Sequence, residues 1–368
     1  MTVIKIDLVA GARPNFMKVA PLYRALANER GWCRVRLVHT GQHYDASMSD
    51  AFFHDLALPQ PDVSLGVGSG THGEQTAGIL VAYERICVQD RPDWVVVVGD
   101  VNSTVACSLA ATKLGIRVAH LEAGLRSGDR TMPEEINRIL TDDIADLLWT
   151  PSPDANENLL REGIEPQKIA LVGNIMIDSL EMMRASIEAR QYFRECGLTE
   201  GGYGVVTLHR PSNVDDPETL AAAARMLASV AQKLPLVFPV HPRTRKALQG
   251  ARLEFEMNGR DGLRLIEPVG YVDFMSLLWS SRLAITDSGG IQEETTYLGI
   301  PCMTLRENTE RPITVTQGTN RLLKPEQVPE AVQRILRGDW PQGQVPALWD
   351  GRTAGRIVAS LKQRSSRA

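Results

Sequence analysis

Short β-branched runs alternate with longer amphipathic runs along the whole chain, and this alternation limits the fold more than any other feature. In the first half the strand candidates are Val3–Ala10, Arg34–Thr40, Trp94–Gly99, Arg117–Leu121 and Leu147–Thr150. Helical stretches at Lys18–Glu29, Glu74–Asp90, Ser103–Leu114 and Glu134–Ile144 separate them. The second half repeats the plan, with strands expected at Tyr203–Leu208, Leu236–Pro239, Leu263–Ile266, Leu283–Thr286 and Cys302–Leu305. Its helices include Glu218–Leu234, Tyr271–Ser280 and Ile291–Leu298. A strand, a helix and a strand in succession form a right-handed βαβ crossover, and a series of crossovers builds a parallel sheet. At about 150 residues per domain, 368 residues suffice for two such sheets. The expected fold is α/β, with two Rossmann-like doubly wound domains at 1–175 and 176–351 and a boundary near Val172–Ser179. Residues 352–368 read as a helix that packs back on the first domain, ending in the frayed polar tail Gln363–Ala368.

Composition removes several classes. Hydrophobic residues make up 43% and charged residues 23%, as in ordinary globular proteins. The longest strongly apolar run, Trp94–Val98, is far short of the roughly 20 residues that cross a bilayer. Lys5 and Asp7 interrupt the apolar N-terminus, which reads as a buried first strand and not as a signal-peptide core. A net charge of −4 argues against a general nucleic-acid binder, which shows a basic face, but leaves room for a local phosphate pocket. The five cysteines are scattered and form no C-x-x-C, which fits reduced thiols in a cytoplasm. Of the seven histidines only His39 and His43 stand at H-x-x-x-H spacing, without the Glu of an H-E-x-x-H motif, and no metal site is expected.

In open parallel sheets, ligands bind beyond the carboxyl ends of the strands. The residues just after each strand candidate are unusually polar: Arg13 and Lys18, Gly99-Asp100, Glu122, His209-Arg210, His241, and Asp287-Ser288-Gly289-Gly290. Such tips on two sheets suggest a cleft lined by carboxylates and cations. Ser288-Gly289-Gly290 opens a helix, where free N–H groups attract phosphate. Glu294 then faces a sugar hydroxyl or simply complements the helix dipole. Arg13 and Lys18 stand where a phosphate-holding pair belongs, or at a solvated helix start. Asp100 and Glu122 each end a very apolar strand and Glu134 follows Pro133, so three carboxylates without metal-ligand histidines favour acid–base work. His209 donates to phosphate or shuttles a proton, or it is a satisfied core residue. His241 is open to either reading, and the other histidines, His120 among them, read as structural.

Gly68-Ser-Gly70-Thr-His-Gly73 matches G-x-G-x-x-G but follows a poor strand, so a nicotinamide site is not expected there. Thr71 and Glu74 instead have the spacing of a capping box. Neither G-x-x-x-x-G-K-[ST] nor G-x-S-x-G occurs.

Taken in order, ten segments resemble the non-hydrolysing UDP-N-acetylglucosamine 2-epimerases over nearly the whole length. They are GARPNFMKVAPL (11–22), GQHYDASMS (41–49), GDVNSTVA (99–106), HLEAGLRSGD (120–129), MPEEINR (132–138), Gly173-Asn174, TLHRPSNVD (207–215), HPRT (241–244), TDSGGIQEE (286–294) and ERP (310–312). The resemblance implies the glycosyltransferase-B architecture. It also implies an isomerase that interconverts UDP-GlcNAc and UDP-ManNAc through a 2-acetamidoglycal, by elimination and re-addition of UDP. By the same match Asp100, Glu122 and Glu134 are catalytic carboxylates and His209 is a phosphate-contacting, activity-critical histidine. Arg13 and Lys18 contact the nucleotide sugar, and Arg138 in MPEEINR joins the substrate contacts. Phe274 packs near the uracil, Ser288, Gly289 and Gly290 form the diphosphate loop, Glu294 binds ribose, and Arg311 binds phosphate. No cofactor or metal is implied. A cytoplasmic homodimer in polysaccharide biosynthesis, without nucleic-acid or membrane partners, is.

Members with an allosteric UDP-GlcNAc site carry Gln-His and a downstream Arg. Gln42 and His43 are present, but Glu74-Gln-Thr-Ala-Gly-Ile-Leu lacks that Arg, so such activation is not expected. The NFMK, GQHYD and HRPSNVD variants also resemble members acting on other UDP-HexNAc derivatives, including UDP-2,3-diacetamido-2,3-dideoxyuronic acids. A hydrolysing 2-epimerase, a glycosyltransferase-B transferase and a UDP-sugar sensor are the other readings.

Overall fold

The computed structural model describes residues 3–11, 13–41, 56, 58–258 and 262–365. The chain divides into two compact units, Met1–Met182 with Ala347–Ala368, and Met183–Pro346. The first holds β1 (Ile4–Ala10), β2 (Cys33–His39), β3 (Val63–Ser64), β4 (Trp94–Val98), β5 (Arg117–Leu121), β6 (Leu147–Thr150) and β7 (Ile169–Leu171). Their order is β3-β2-β1-β4-β5-β6-β7, and every pair is parallel. The second holds β8 (Gly204–Thr207), β9 (Leu236–Pro239), β10 (Leu263–Ile266), β11 (Leu283–Thr286), β12 (Cys302–Thr304) and β13 (Asn320–Leu322). Their order is β10-β9-β8-β11-β12-β13, again all parallel. Both orders grow outward from a central strand in two directions, so each unit is doubly wound. The α/β class, with two Rossmann-like units of the glycosyltransferase-B type, is the one expected from sequence.

The central strands are legible because parallel strands covered on both faces must be apolar throughout. Trp94–Val98 is buried at every residue. The edge strands β3 and β13 escape a reading by apolar runs, since each pairs on one side only and they are two and three residues long. Helices Pro153–Arg161, Ile175–Arg190, Pro242–Gly250 and Val328–Leu336 were also not anticipated. The first helix begins at Arg13, not Lys18, so both residues of the basic pair are helical. Thr71 forms the capping box of helix His72–Gln89, accepting from the Glu74 N–H, as the spacing of the two residues predicts.

Helix Ile175–Arg190 carries the division between units, about two turns beyond the 175/176 boundary named above. The C-terminal helix Thr353–Ser365 belongs to the first unit. Its first N–H groups, of Thr353 and Ala354, donate to the Asp178 carboxylate at 3.0 and 2.8 Å. The indole N–H groups of Trp94 and Trp149 donate to Ser365 and Ser360 on the same helix.

One glycine is demanded by geometry. Gly124 has φ +79°, and a Cβ there would press into the Ala155 carbonyl. Gly124→Ala is therefore expected to lose about 2–5 kcal/mol, from the left-handed backbone cost plus displacement of packed backbone. A fall in the urea midpoint with unchanged slope checks this; an unchanged midpoint would mean that the Ala155 backbone yields freely.

Candidate active site

The direction of strand addition reverses between β1 and β4 in the first unit and between β8 and β11 in the second. Crevices at such reversals, beyond the carboxyl ends, are where doubly wound sheets bind ligands. The residues singled out from sequence collect at these two places, one set in each unit.

In the first unit, β4 runs into Gly99 at φ +68°. Lys18, on helix Arg13–Ala27, forms an ion pair with Glu122 at the end of β5, and both side chains are buried. A Cβ on Gly99 would lie 3.3 Å from Lys18 Nζ, 3.4 Å from Glu122 Oε2 and 3.6 Å from Asn15 Nδ2. The glycine thus lets an ammonium, a carboxylate and an amide meet over the turn. Glu122 has φ +73°, a conformation that costs a non-glycine residue about 1–3 kcal/mol and that clusters at functional sites. The Trp149 carbonyl holds it there, accepting from the Glu122 and Ala123 N–H groups at 3.1 Å. The second carboxylate oxygen, Glu122 Oε1, is buried without a hydrogen-bond partner among the described residues.

Asp100 follows Gly99, and its Oδ2 accepts from Arg138 Nε at 3.0 Å and pairs with Nη2 at 2.9 Å. Arg138 is buried and also paired with Glu135, so carboxylates occupy its guanidinium. Glu135 in turn accepts the Ser127 and Gly128 N–H groups at 3.0 and 2.9 Å. Asn137 Nδ2 donates to the Asp100 carbonyl at 2.9 Å. Helix Pro133–Ile144 therefore steers Asp100 from two positions, while Glu134, half-buried, stands on its first turn. Sequence reasoning gave Glu135 and Asn137 no part in this. The i,i+3 spacing of Glu135 and Arg138 was the available signal. The backbone of Arg13 opens its helix, but its side chain lies outside the described residues, as do Gln42 and His43.

In the second unit, Asp287 after β11 is buried and organises the tip of β8. It accepts the His209 N–H at 3.0 Å, the Arg210 N–H at 2.9 Å and Asn213 Nδ2 at 3.0 Å, and pairs with His209 Nδ1 at 3.1 Å. Burial alone would push the Asp287 carboxyl up; His209 and these donors outweigh it and hold it below its ordinary value. His209 Nδ1 is thereby committed, leaving Nε2 for a ligand. The His209 side chain is 40% exposed, beside a cavity of about 220 Å³ that Phe274, His241 and Ser288 also line.

Ser288 stands at the N-cap of helix Gly289–Leu298 but makes no side-chain capping bond, so the first N–H groups remain for an anion. A Cβ on Gly290 would meet open space. One on Gly289 would lie 2.7 Å from Arg311 Nη1 and 2.8 Å from Glu310 Oε1, so an ion pair packs directly beneath the loop. Arg311 is held by Glu293 at 2.8 Å and Glu310 at 2.6 Å. Burial would raise the Glu310 carboxyl, but Arg311, Arg306 and Arg210 hold it well below the usual carboxylate range.

Glu294 is buried and accepts from Tyr271 Oη at 2.8 Å. Burial pushes its carboxyl up to about 8, overriding the Tyr271 bond. The folded state thus favours the protonated acid, a stabilisation complete below the unfolded value near 4.5 and lost as pH rises through about 8. Wild type is expected to lose urea resistance between pH 5 and 9 more steeply than Glu294→Gln, and parallel curves would refute it. Among the described residues, no group of three or more His, Cys, Asp or Glu side chains is arranged to hold a metal.

The family model described as UDP-N-acetylglucosamine 2-epimerase matches residues 25–362. The chain belongs to the UDP-N-acetylglucosamine 2-epimerase family. It is 41% identical to the UDP-N-acetylglucosamine 2-epimerase of Methanocaldococcus jannaschii, covering 97% of this chain and 99% of that one. It is 42% identical to the UDP-2,3-diacetamido-2,3-dideoxy-D-glucuronate 2-epimerase of Pseudomonas aeruginosa, covering 87% and 88%. The crystal structure of the M. jannaschii enzyme in complex with UDP-GlcNAc and UDP matches with a TM-score of 0.89, over 98% of this chain and 100% of that one. Epimerases of this family are isomerases, and both site clusters lie within the span that the family model covers, apart from Arg13 and Lys18 near its start.

Proposed function

We propose that the chain is a non-hydrolysing 2-epimerase that interconverts UDP-GlcNAc and UDP-ManNAc. The observation that carries this reading is the Gly99 turn, which packs against the Lys18–Glu122 pair and leads into Asp100, itself held by Arg138. The hydrogen on C2 of an N-acetylhexosamine has no carbonyl beside it in the ring and is not acidic. Elimination avoids the difficulty. A carboxylate takes the C2 hydrogen as a proton, its bonding pair becomes the C1=C2 bond, and UDP leaves with the pair of the C1–O bond. UDP then adds back to C1 of the 2-acetamidoglycal while an acid on the other face delivers a proton to C2. This needs one base, one opposite-face acid and a firm hold on the departing diphosphate.

Asp100, Glu122 and Glu134 share the acid and base work in this reading. Glu122 suits proton transfer because one carboxylate oxygen is anchored by Lys18 and the other is unpartnered. His209, Arg13, Arg311 and the helix start at Ser288-Gly289-Gly290 take the diphosphate. Phe274 packs against the uracil, Glu294 binds the ribose, and Arg138 acts through Asp100. The same reading makes the protein a cytoplasmic homodimer that supplies polysaccharide biosynthesis. Its five cysteines are free, and no described helix is long and apolar enough to cross a membrane.

Proton NMR of the protein with UDP-GlcNAc in D2O tests the reaction. UDP-ManNAc signals and deuterium at C2 are expected. Accumulation of free ManNAc and UDP would make it a hydrolysing enzyme instead. A second reading, epimerisation of UDP-2,3-diacetamido-2,3-dideoxyglucuronate, is favoured by the 42% identity to the P. aeruginosa enzyme, beside 41% to that of M. jannaschii. Exchange with that substrate and none with UDP-GlcNAc would select it.

A further inference from the structure

Behind the Gly99 turn stands a histidine with both ring nitrogens engaged. His120 on β5 is fully buried, with Nε2 2.8 Å from the Gly99 carbonyl oxygen and Nδ1 2.6 Å from Asp142 Oδ1. A carbonyl oxygen only accepts. Asp142 also acts as an acceptor, because its Oδ2 takes the Gly124 N–H at 3.0 Å and pairs with Arg126 Nη1 at 2.8 Å. Burial pushes the Asp142 carboxyl up, but His120 and Arg126 outweigh this and hold it below its ordinary value, so it is ionised near neutral pH. Arg126 is itself gripped by Glu162 through two bonds, at 2.8 and 2.6 Å. The ring is thus bonded on both sides, to a backbone carbonyl and to a carboxylate.

The ring joins the three elements that carry the carboxylates. Gly99 is tied to β5 at both ends of its peptide, since its N–H donates to Leu121 O at 3.0 Å and its carbonyl accepts from His120. Asp100 is the next residue on that turn, and Glu122 lies two residues beyond His120. Asp142 belongs to helix Pro133–Ile144, whose Asn137 and Arg138 hold Asp100 from the other side. We propose that His120 is a positioning residue for the C2 proton transfer, its ring, bonded through both nitrogens, fixing the Asp100 turn against β5 and the Asp142 helix. The inference rests on the epimerase reading for the reaction it serves, but not for the geometry. Proton transfer on opposite faces of one carbon tolerates little displacement, and a misplacement of about 1 Å costs on the order of 10²-fold.

His120→Phe removes both ring contacts, and His120→Gln keeps a donor within reach of the Gly99 carbonyl. In His120→Phe the kcat for C2 deuterium exchange is expected to fall about 10²-fold, with a smaller fall in His120→Gln. UDP affinity by calorimetry is expected to stay within about twofold, since the proposed diphosphate ligands are mostly in the second unit. An unchanged kcat in both variants overturns the proposal, as does an equal loss of kcat and UDP affinity. Ring 15N NMR of the wild-type protein near neutral pH provides an independent readout that needs no variant to fold. Both His120 nitrogens are expected to show hydrogen-bonded shifts, and a nitrogen without a hydrogen bond overturns the proposal. A wild-type protein that exchanges no UDP-HexNAc would overturn the epimerase reading instead, and the nitrogen signature would still decide the ring geometry.

Discussion

Glu122→Gln is expected to slow C2 deuterium exchange by about 10²–10⁴-fold, the range for a lost general acid or base. The amide keeps the shape and still accepts from Lys18, so UDP binding is expected to change little. It cannot take a proton from carbon. It also leaves the Lys18 ammonium buried without its counter-charge, for both side chains are almost fully covered. Breaking a buried ion pair costs about 3–5 kcal/mol, so the urea midpoint is expected to fall together with the rate. Lys18→Met with Glu122→Gln is expected to restore much of the stability and none of the rate. Exchange near the wild-type rate in Glu122→Gln would remove Glu122 from the chemistry.

His209→Ala is expected to lower the rate by about 10²–10³-fold, as loss of a donor aimed at developing charge does. UDP affinity is expected to drop about tenfold as well, since hydrogen bonds to a charged group contribute about 1.5–3 kcal/mol. The reason lies in Asp287, which engages Nδ1 and so commits Nε2 to the ligand side. His209→Gln is expected to recover part of the binding but little of the rate, because a flexible amide does not reproduce a ring nitrogen whose direction Asp287 fixes. An Ala variant with unaltered UDP affinity would separate His209 from the diphosphate.

The two sheets were legible because their central strands are apolar without interruption, as at Trp94–Val98, and burial on both faces allows nothing else. The chemistry was legible for a related reason: polar residues gathered at the tips of such strands mark where ligands bind. Asp100, Glu122, His209 and Ser288 were all found by that rule. It could not find Glu135, Asn137 or Asp142, which reach the same turn from a helix, because helix periodicity gives no sign of which polar side chain points at a neighbouring sheet. Nor did it find what His120 does. A histidine inside an apolar strand looks like a core residue until the Gly99 carbonyl and the Asp142 carboxylate appear on its two sides. Arg311 was found by its motif, while the carboxylates that surround it, Glu293 and Glu310, came only with the fold.

The first unit is assembled from two stretches of chain, with residues 183–346 between them. A ribosome making this protein delivers all of the second unit before the segment that completes the first. Until Thr353–Ser365 emerges, the Asp178 carboxylate and the indoles of Trp94 and Trp149 lack the partners that the finished fold gives them. The half made first is therefore the half finished last, and the carboxylates at the Gly99 turn belong to the late-closing half.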